Sequence, residues 1–346
     1  MSRTSLVLVA NAGDGTISTF RLTPDGTLAR LSVSPVGSGC STFAIDARRD
    51  FVFAGVKGEP NGIVTLALDR QSGSLAAQSR VDTEASMTYL ALAPDAMRLF
   101  GASYGGGLGI VSPVARDGSV GAPTARIAYP NLHSVAVSAD GRFAYFVSLG
   151  DDLVAQYAVT AFGGLAPLDP PAAAAPAGSG PRHIVCDASQ TNAYVMTEFT
   201  GEVLHYRRDP ASGVLVFRSA TPAYAPEHGL RPSVFGADPL EHHYIWGADV
   251  HLAPGHTHVW CSERTESTLA TLPIDGDGSP HPATSFAATE TQPRGFAVSP
   301  DGRYLVAAGE RSTHVSVYAT SPDGALALLA RVETGAGANW VRFVED

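Results

Sequence analysis

The sequence predicts an all-β fold, a seven-bladed β-propeller with four-stranded blades. Three observations carry this: an internal repeat, an incomplete last copy of it, and turn residues spread along the whole chain. The repeat runs as an apolar strand, a polar turn often reading Pro-Asp-Gly, a second apolar strand, a short polar loop and a third strand. Its period is roughly 45 residues, the range of a propeller blade. The clearest copies are His133-Ser-Val-Ala-Val-Ser-Ala-Asp-Gly141, Arg294-Gly-Phe-Ala-Val-Ser-Pro-Asp-Gly302, Arg182-His-Ile-Val-Cys-Asp-Ala-Ser189 and Thr88-Tyr-Leu-Ala-Leu-Ala-Pro-Asp95, with weaker ones near Ser41 and Ala248.

The last copy begins at Asn339 and supplies one strand, Trp340 to Val344. Its partners are expected at the other end, where Leu6 to Asn11 and Thr16 to Leu22 read as second and third strands. The two ends then share a blade, which removes the free sheet edges of an open ring and brings the count to seven. The 36 Gly and 24 Pro are dispersed as turn punctuation, and residues 1–346 are read as one domain. One interval is too long: about 224–246 inserts extra Pro, His and Tyr between two blades and is expected to form a lid or rim. The Ala/Pro/Gly stretch from Pro170 to Gly180 reads as an exposed connector.

Charge and cysteines narrow the function. A formal charge of −10 with 23 basic residues and no Lys/Arg run argues against nucleic acid as a partner. Cys40, Cys186 and Cys261 are odd in number and show no CxxC spacing, which argues against a disulfide framework and a thiolate metal site, and for a cytoplasmic protein. The apolar run Leu6 to Ala10 is too short for a signal segment or a membrane span, so no membrane partner is expected.

In a propeller, first-strand starts and second-to-third loops meet at one mouth of the central channel. The repeat register places Ser41, Thr88, His133, Arg182, Ala248, Arg294 and Asn339 in the first set. Lys57, Tyr104, Leu149, Glu198, Arg264, Glu310 and Ala12 form the second. Ionisable groups crowd the blades from His133 to Glu310, while the rest of the ring is largely neutral. Solvated ion pairs would explain any one of these residues, each worth under about 1 kcal/mol. The set on neighbouring blades points instead to an off-centre polar site.

At these residues the chain resembles the lactonase family of seven-bladed propellers, which includes propeller-type 6-phosphogluconolactonases and the fungal 3-carboxy-cis,cis-muconate cycloisomerase. The carrying segments are Gly180-Pro-Arg-His-Ile-Val185, Tyr194-Val-Met-Thr-Glu-Phe199, Ala248-Asp-Val-His-Leu252, Gln292-Pro-Arg-Gly-Phe296 and Asn339-Trp-Val-Arg-Phe343. The resemblance implies a site at His133, Arg182, Glu198 and Arg264. Two departures stand out: a loop that often reads Ser-Asn-Arg-Gly in relatives is Cys261-Ser-Glu-Arg-Thr265 here, and Ala188-Ser-Gln190 replaces a Pro-Asp-Gly turn.

Lactone hydrolysis needs a base to activate water and donors where the carbonyl oxygen gains charge. The expected roles are Glu198 as base and His133 as acid, with the reverse assignment open. Arg182 and Arg264 are expected to clamp a carboxylate or phosphate. Arg294, Asp249 and Glu310 are further substrate-binding candidates, Asp249 equally well a structural turn residue. The histidines His242, His243, His251, His256 and His258 show no ligand spacing, so neither a metal nor a cofactor is expected. Tyr104-Gly-Gly-Gly-Leu-Gly109 reads as a turn, and no Gly-x-Ser-x-Gly elbow is present. The expected activity is thus a metal-independent lactonase acting on a small anionic sugar lactone. A muconate-type cycloisomerase and a non-catalytic binding propeller remain alternatives.

Overall fold

A computed structural model describes residues 4–345. It is a ring of seven four-stranded antiparallel sheets. Blades one to six begin with the inner strands Thr42–Asp46, Tyr89–Leu92, Leu132–Val137, Pro181–Cys186, Gly247–Leu252 and Pro293–Val298. Blade seven joins the ends of the chain: inner strand Ala338–Glu345 pairs antiparallel with Ser5–Asn11, matching Ser5 to Glu345 and Leu6 to Val344. The closure predicted from the truncated last repeat is therefore present, in the predicted strand order.

Strand burial explains the apolar runs. Second strands such as Phe143–Ser148 and Asn192–Thr197 are buried along their whole length, because sheets flank them on both faces. Outer strands such as Leu326–Glu333 lie at the perimeter and are largely exposed. Apolar side chains interlock between adjacent blades, as Tyr145, Val147, Val195 and Tyr206 do between the third and fourth.

The Asp-Gly turns work through the aspartate. Asp140 accepts from the Arg142 N–H and Asp301 from the Arg303 N–H, while Gly141 and Gly302 both take φ of 71°. In blade four Asp187 receives the N–H groups of Thr191 and Asn192, and Gln190 takes the left-handed conformation with φ of 58°. The turn survives without its aspartate and glycine because a different carboxylate, that of Asp187 two positions earlier, organises it.

Five inner strands, those of blades three to seven, carry a register shift at their mouth end. The shifts fall at His133, Arg182, Ala248-Asp249, Arg294 and Asn339. The inner strands of blades one and two pair without one. A bulge leaves its extra residue outside the ladder and re-aims its side chain. Three of the five bulged positions hold His133, Arg182 and Arg294.

The insertion between blades four and five joins Leu215–Pro222 to Gly247–Leu252. It contains the short turns Pro226–His228 and Pro239–His242 and a parallel bridge between Arg231 and Tyr244. His228 and His243 both reach Glu266 at 3.4 Å. Among the described residues no helix is long and apolar enough to cross a membrane.

Candidate active site

Glu198 stands on the second-to-third loop of blade four, and its backbone is pinned from both sides. Its N–H donates to the Gly180 carbonyl at 2.7 Å, and its own carbonyl accepts from the Gly247 N–H at 2.9 Å. A Cβ at Gly247 would overlap the Thr197 carbonyl oxygen, so only glycine allows blade five to approach this closely.

One carboxylate oxygen of Glu198, Oε2, receives two arginines: Arg182 Nε at 2.9 Å and Arg264 Nη2 at 2.9 Å. Both guanidinium groups are almost fully buried, whereas the Glu198 side chain retains 16% exposure. Arg182 also donates Nη1 to the Ala248 carbonyl at 2.6 Å. Arg264 donates Nη2 to Gly247 O at 3.1 Å and lies over the Trp246 ring at 4.0 Å. Burial pushes the Glu198 carboxyl up, but Arg264, Arg182 and Arg294 outweigh it and hold it below its ordinary value. Burial, with Arg264 and Arg294 nearby, lowers Arg182 to about 9, so the arginine stays charged at neutral pH.

A second chain of contacts lies one residue deeper. His183 Nδ1 meets Asp249 Oδ1 at 2.7 Å, and its Nε2 lies 3.1 Å from Arg182 Nη1. Because the arginine can only donate, His183 Nε2 accepts and Nδ1 carries the proton. Asp249 is buried and further accepts from His251 at 3.1 Å and from the Val250 and Phe296 N–H groups. Its carboxylate is thus engaged within the ring wall. Burial pushes that carboxyl up, yet His251 and His183 hold it well below the ordinary range. Burial, reinforced by Arg182, depresses His183 to about 3.

His133 packs against His183 with ring centroids 5.1 Å apart and against Tyr104 at 5.7 Å. Its Nδ1 is buried without a hydrogen-bond partner. Burial, followed by Arg182, His183, Arg294 and Arg264, holds its pKa well below 6.5, so the imidazole is neutral. Tyr89, His183 and Trp340 meet edge to face at 5.0–5.8 Å, forming an aromatic floor beneath the mouth.

Above that floor is a cavity of about 820 Å³, lined by Lys57, Tyr104, Trp246, Arg294, Glu310 and Arg311 together with small residues of blades seven, one and two. Arg294 Nη1 is 2.9 Å from Glu310 Oε1. The structure therefore divides the candidates. His133, Arg182, Glu198 and Arg264 form a buried group, Arg294 and Glu310 pair in the cavity wall, and Asp249 sits behind Arg182.

Reading only the first residue of each inner strand misses Tyr89, His183 and Trp340. The signal was available one position further along the same register. The departure in the Cys261–Thr265 loop also has a structural reason. Buried Glu263 accepts the N–H groups of Trp246, Thr265 and Glu266 and so shapes the loop that presents Arg264. The scattered histidines do not converge: among the described residues no three His, Cys, Asp or Glu side chains could hold a metal ion.

Comparison with known proteins adds the lineage. The family model described as "Lactonase, 7-bladed beta-propeller" matches residues 3–343. The chain is 30% identical over 339 residues to a 6-phosphogluconolactonase of Sodalis glossinidius, covering 97% of this chain and 98% of that protein. It is also 30% identical over 338 residues to that of Pectobacterium carotovorum, covering 97% of each. The structure of a periplasmic gluconolactonase from Pseudomonas aeruginosa superposes with a TM-score of 0.85 at 26% identity, over 99% of both chains.

Proposed function

The chain belongs to the lactonase family of seven-bladed β-propellers, and on that premise we propose that it hydrolyses an acidic or phosphorylated sugar lactone without a metal. One observation carries the mechanism: Glu198 is a carboxylate in the propeller mouth whose Oε2 is held by two buried arginines, which keep it ionised. Its second oxygen takes no protein hydrogen bond among the described residues and faces the role of accepting a proton from water.

In this reading the water oxygen adds to the lactone carbonyl carbon while its proton passes to Glu198. Negative charge collects on the carbonyl oxygen, where Arg182 and Arg264 stabilise it. The ring C–O bond then breaks, and the departing alkoxide takes the proton that Glu198 has just received. The product is a hydroxy acid, which releases one proton to solvent at neutral pH.

This changes two expected roles. A neutral His133 has no imidazolium proton to give, so it serves as a hydrogen-bond partner of the reacting group rather than as the acid. Arg182 and Arg264, buried against Glu198 and backbone carbonyls, suit the developing oxyanion better than a solvated anionic handle. Asp249 acts as a positioning residue, since it fixes the His183 tautomer that receives Arg182. Three free cysteines support a cytoplasmic setting, which cell fractionation checks.

The test is a pH-indicator assay of chelator-treated protein on 6-phosphogluconolactone, free aldonolactones and muconolactones. Turnover of a sugar lactone that survives chelation is expected. Activity confined to muconolactones would replace this reading with the cycloisomerase, and no turnover at all would replace it with a binding propeller.

A further inference from the structure

The mouth cavity carries a local charge opposite to that of the molecule. The chain has a formal charge of −10, yet the charged residues lining the cavity are Lys57, Arg294 and Arg311 against Glu310 alone. Arg294 is already matched to Glu310 at 2.9 Å. Lys57 and Arg311 have no ion-pair or side-chain hydrogen-bond partner among the described residues, which leaves two cations uncompensated. They stand on blades one and six, with blade seven between them.

Blade seven leaves this interval almost free of side chains. It contributes Ala12, Gly13, Gly337 and Asn339 to the lining. The glycines are dictated by backbone contact: a Cβ at Gly13 would lie 2.9 Å from the Ala336 carbonyl oxygen, and one at Gly337 would lie 2.6 Å from the Gly13 nitrogen. The Lys57 stem rests on another glycine, since a Cβ at Gly39 would fall 2.9–3.1 Å from its carbons. Two free cations therefore flank a bare backbone shelf across the ring from Glu198.

We propose that Lys57 and Arg311 seat the phosphate of a phosphorylated sugar lactone over blade seven, and that they set the preference for phosphorylated over free aldonolactones. The proposal rests on the lactonase reading and deepens it. A phosphate monoester carries close to two negative charges at neutral pH and takes charge-assisted hydrogen bonds from uncompensated cations. A neutral sugar makes no such demand. The buried arginines are taken up by Glu198 and, in the proposed mechanism, by the carbonyl oxygen, and an acidic surface repels a dianion within roughly a Debye length unless a local positive site offsets it.

The experiment compares wild type, Lys57→Gln, Arg311→Gln and the double variant on 6-phosphogluconolactone and glucono-δ-lactone. The ratio of the two kcat/KM values is expected to fall about tenfold in each single variant and further in the double. Arg116→Gln removes the same charge from an exposed turn on the opposite face and should keep the wild-type ratio. An unchanged ratio in the double variant overturns the proposal. Calorimetric titration with 6-phosphogluconate separates this from the catalytic reading. Wild type that binds it, with binding weakened at least tenfold in the double variant, supports the seat even if neither lactone is hydrolysed. Equal binding by both proteins, or none by wild type, overturns it.

Discussion

The two halves of the propeller mouth are built on opposite plans. On blades three to five, side chains fill the mouth: Arg182, Glu198 and Arg264 are hydrogen-bonded to one another and nearly dry, His133 packs against His183, and Arg182 is backed by His183 and Asp249. On blades seven, one and two the same register positions hold the small or uncharged Ala12, Ser41, Thr88 and Asn339, with Lys57 and Tyr104, around open volume. Under the proposed mechanism the difference gives each half its own task. A fixed constellation needs neighbours that lock each rotamer, and a ligand needs space, so a small ring separates the two needs by blade. Blade six belongs to both, with Arg294 touching the cluster's field and lining the cavity.

The largest test of this division is Glu198→Gln. The amide keeps an acceptor for the arginines but cannot take a proton, so kcat is expected to fall by about 10² or more in a pH-stat assay. A variant with wild-type kcat would break the contrast, because the packed half would then hold no chemistry. Gly105→Trp sharpens it from the other side. Gly105 lines the cavity, and a Cβ there meets nothing within 4 Å, so the indole has room to occupy substrate space without straining the fold. KM should rise several-fold, with kcat affected less. A reversed split would mean that the open half takes part in turnover.

The smallest effect is on stability. Burial holds the folded-state pKa of His183 at about 3 and that of His133 well below 6.5, so the unfolded chain takes up their protons first. Their contribution is complete above pH 6.5 and is lost as pH falls from there toward the folded values, at no more than about 1.4 kcal/mol per pH unit for each. Chemical denaturation at pH 7.5 and 5.0 should show a lower midpoint at pH 5.0. Equal midpoints would mean that the packed half hydrates freely.

The sequence carried the ring itself because a propeller repeats one unit. The strand order, the blade count and the shared closing blade follow from where a strand and its turn recur, with Asn339 starting a copy that the other end completes. The grouping of Arg182, Glu198 and Arg264 was legible for the same reason. What stayed hidden depends on depth and on absences. His183 and Asp249 meet across two blades, 66 positions apart, one residue past the positions that the mouth register compares. The bulges that re-aim His133, Arg182 and Arg294 shift pairing by a single residue, which alternation of apolar side chains does not record. The neutral side of the ring looked inert in the sequence. In three dimensions its small residues are what opens the cavity.

The strand that closes the ring has a temporal consequence. Residues 338–345 insert against Ser5–Asn11, and the same strand brings Trp340 to the aromatic floor and Asn339 to the cavity. While the chain is being synthesised, six blades can form as an open arc, but the vessel they surround has no finished base until that segment leaves the ribosome. Competence for catalysis therefore arrives in a single late event, and a nascent chain stalled before Ala338 is an arc with two unprotected edges and no working centre.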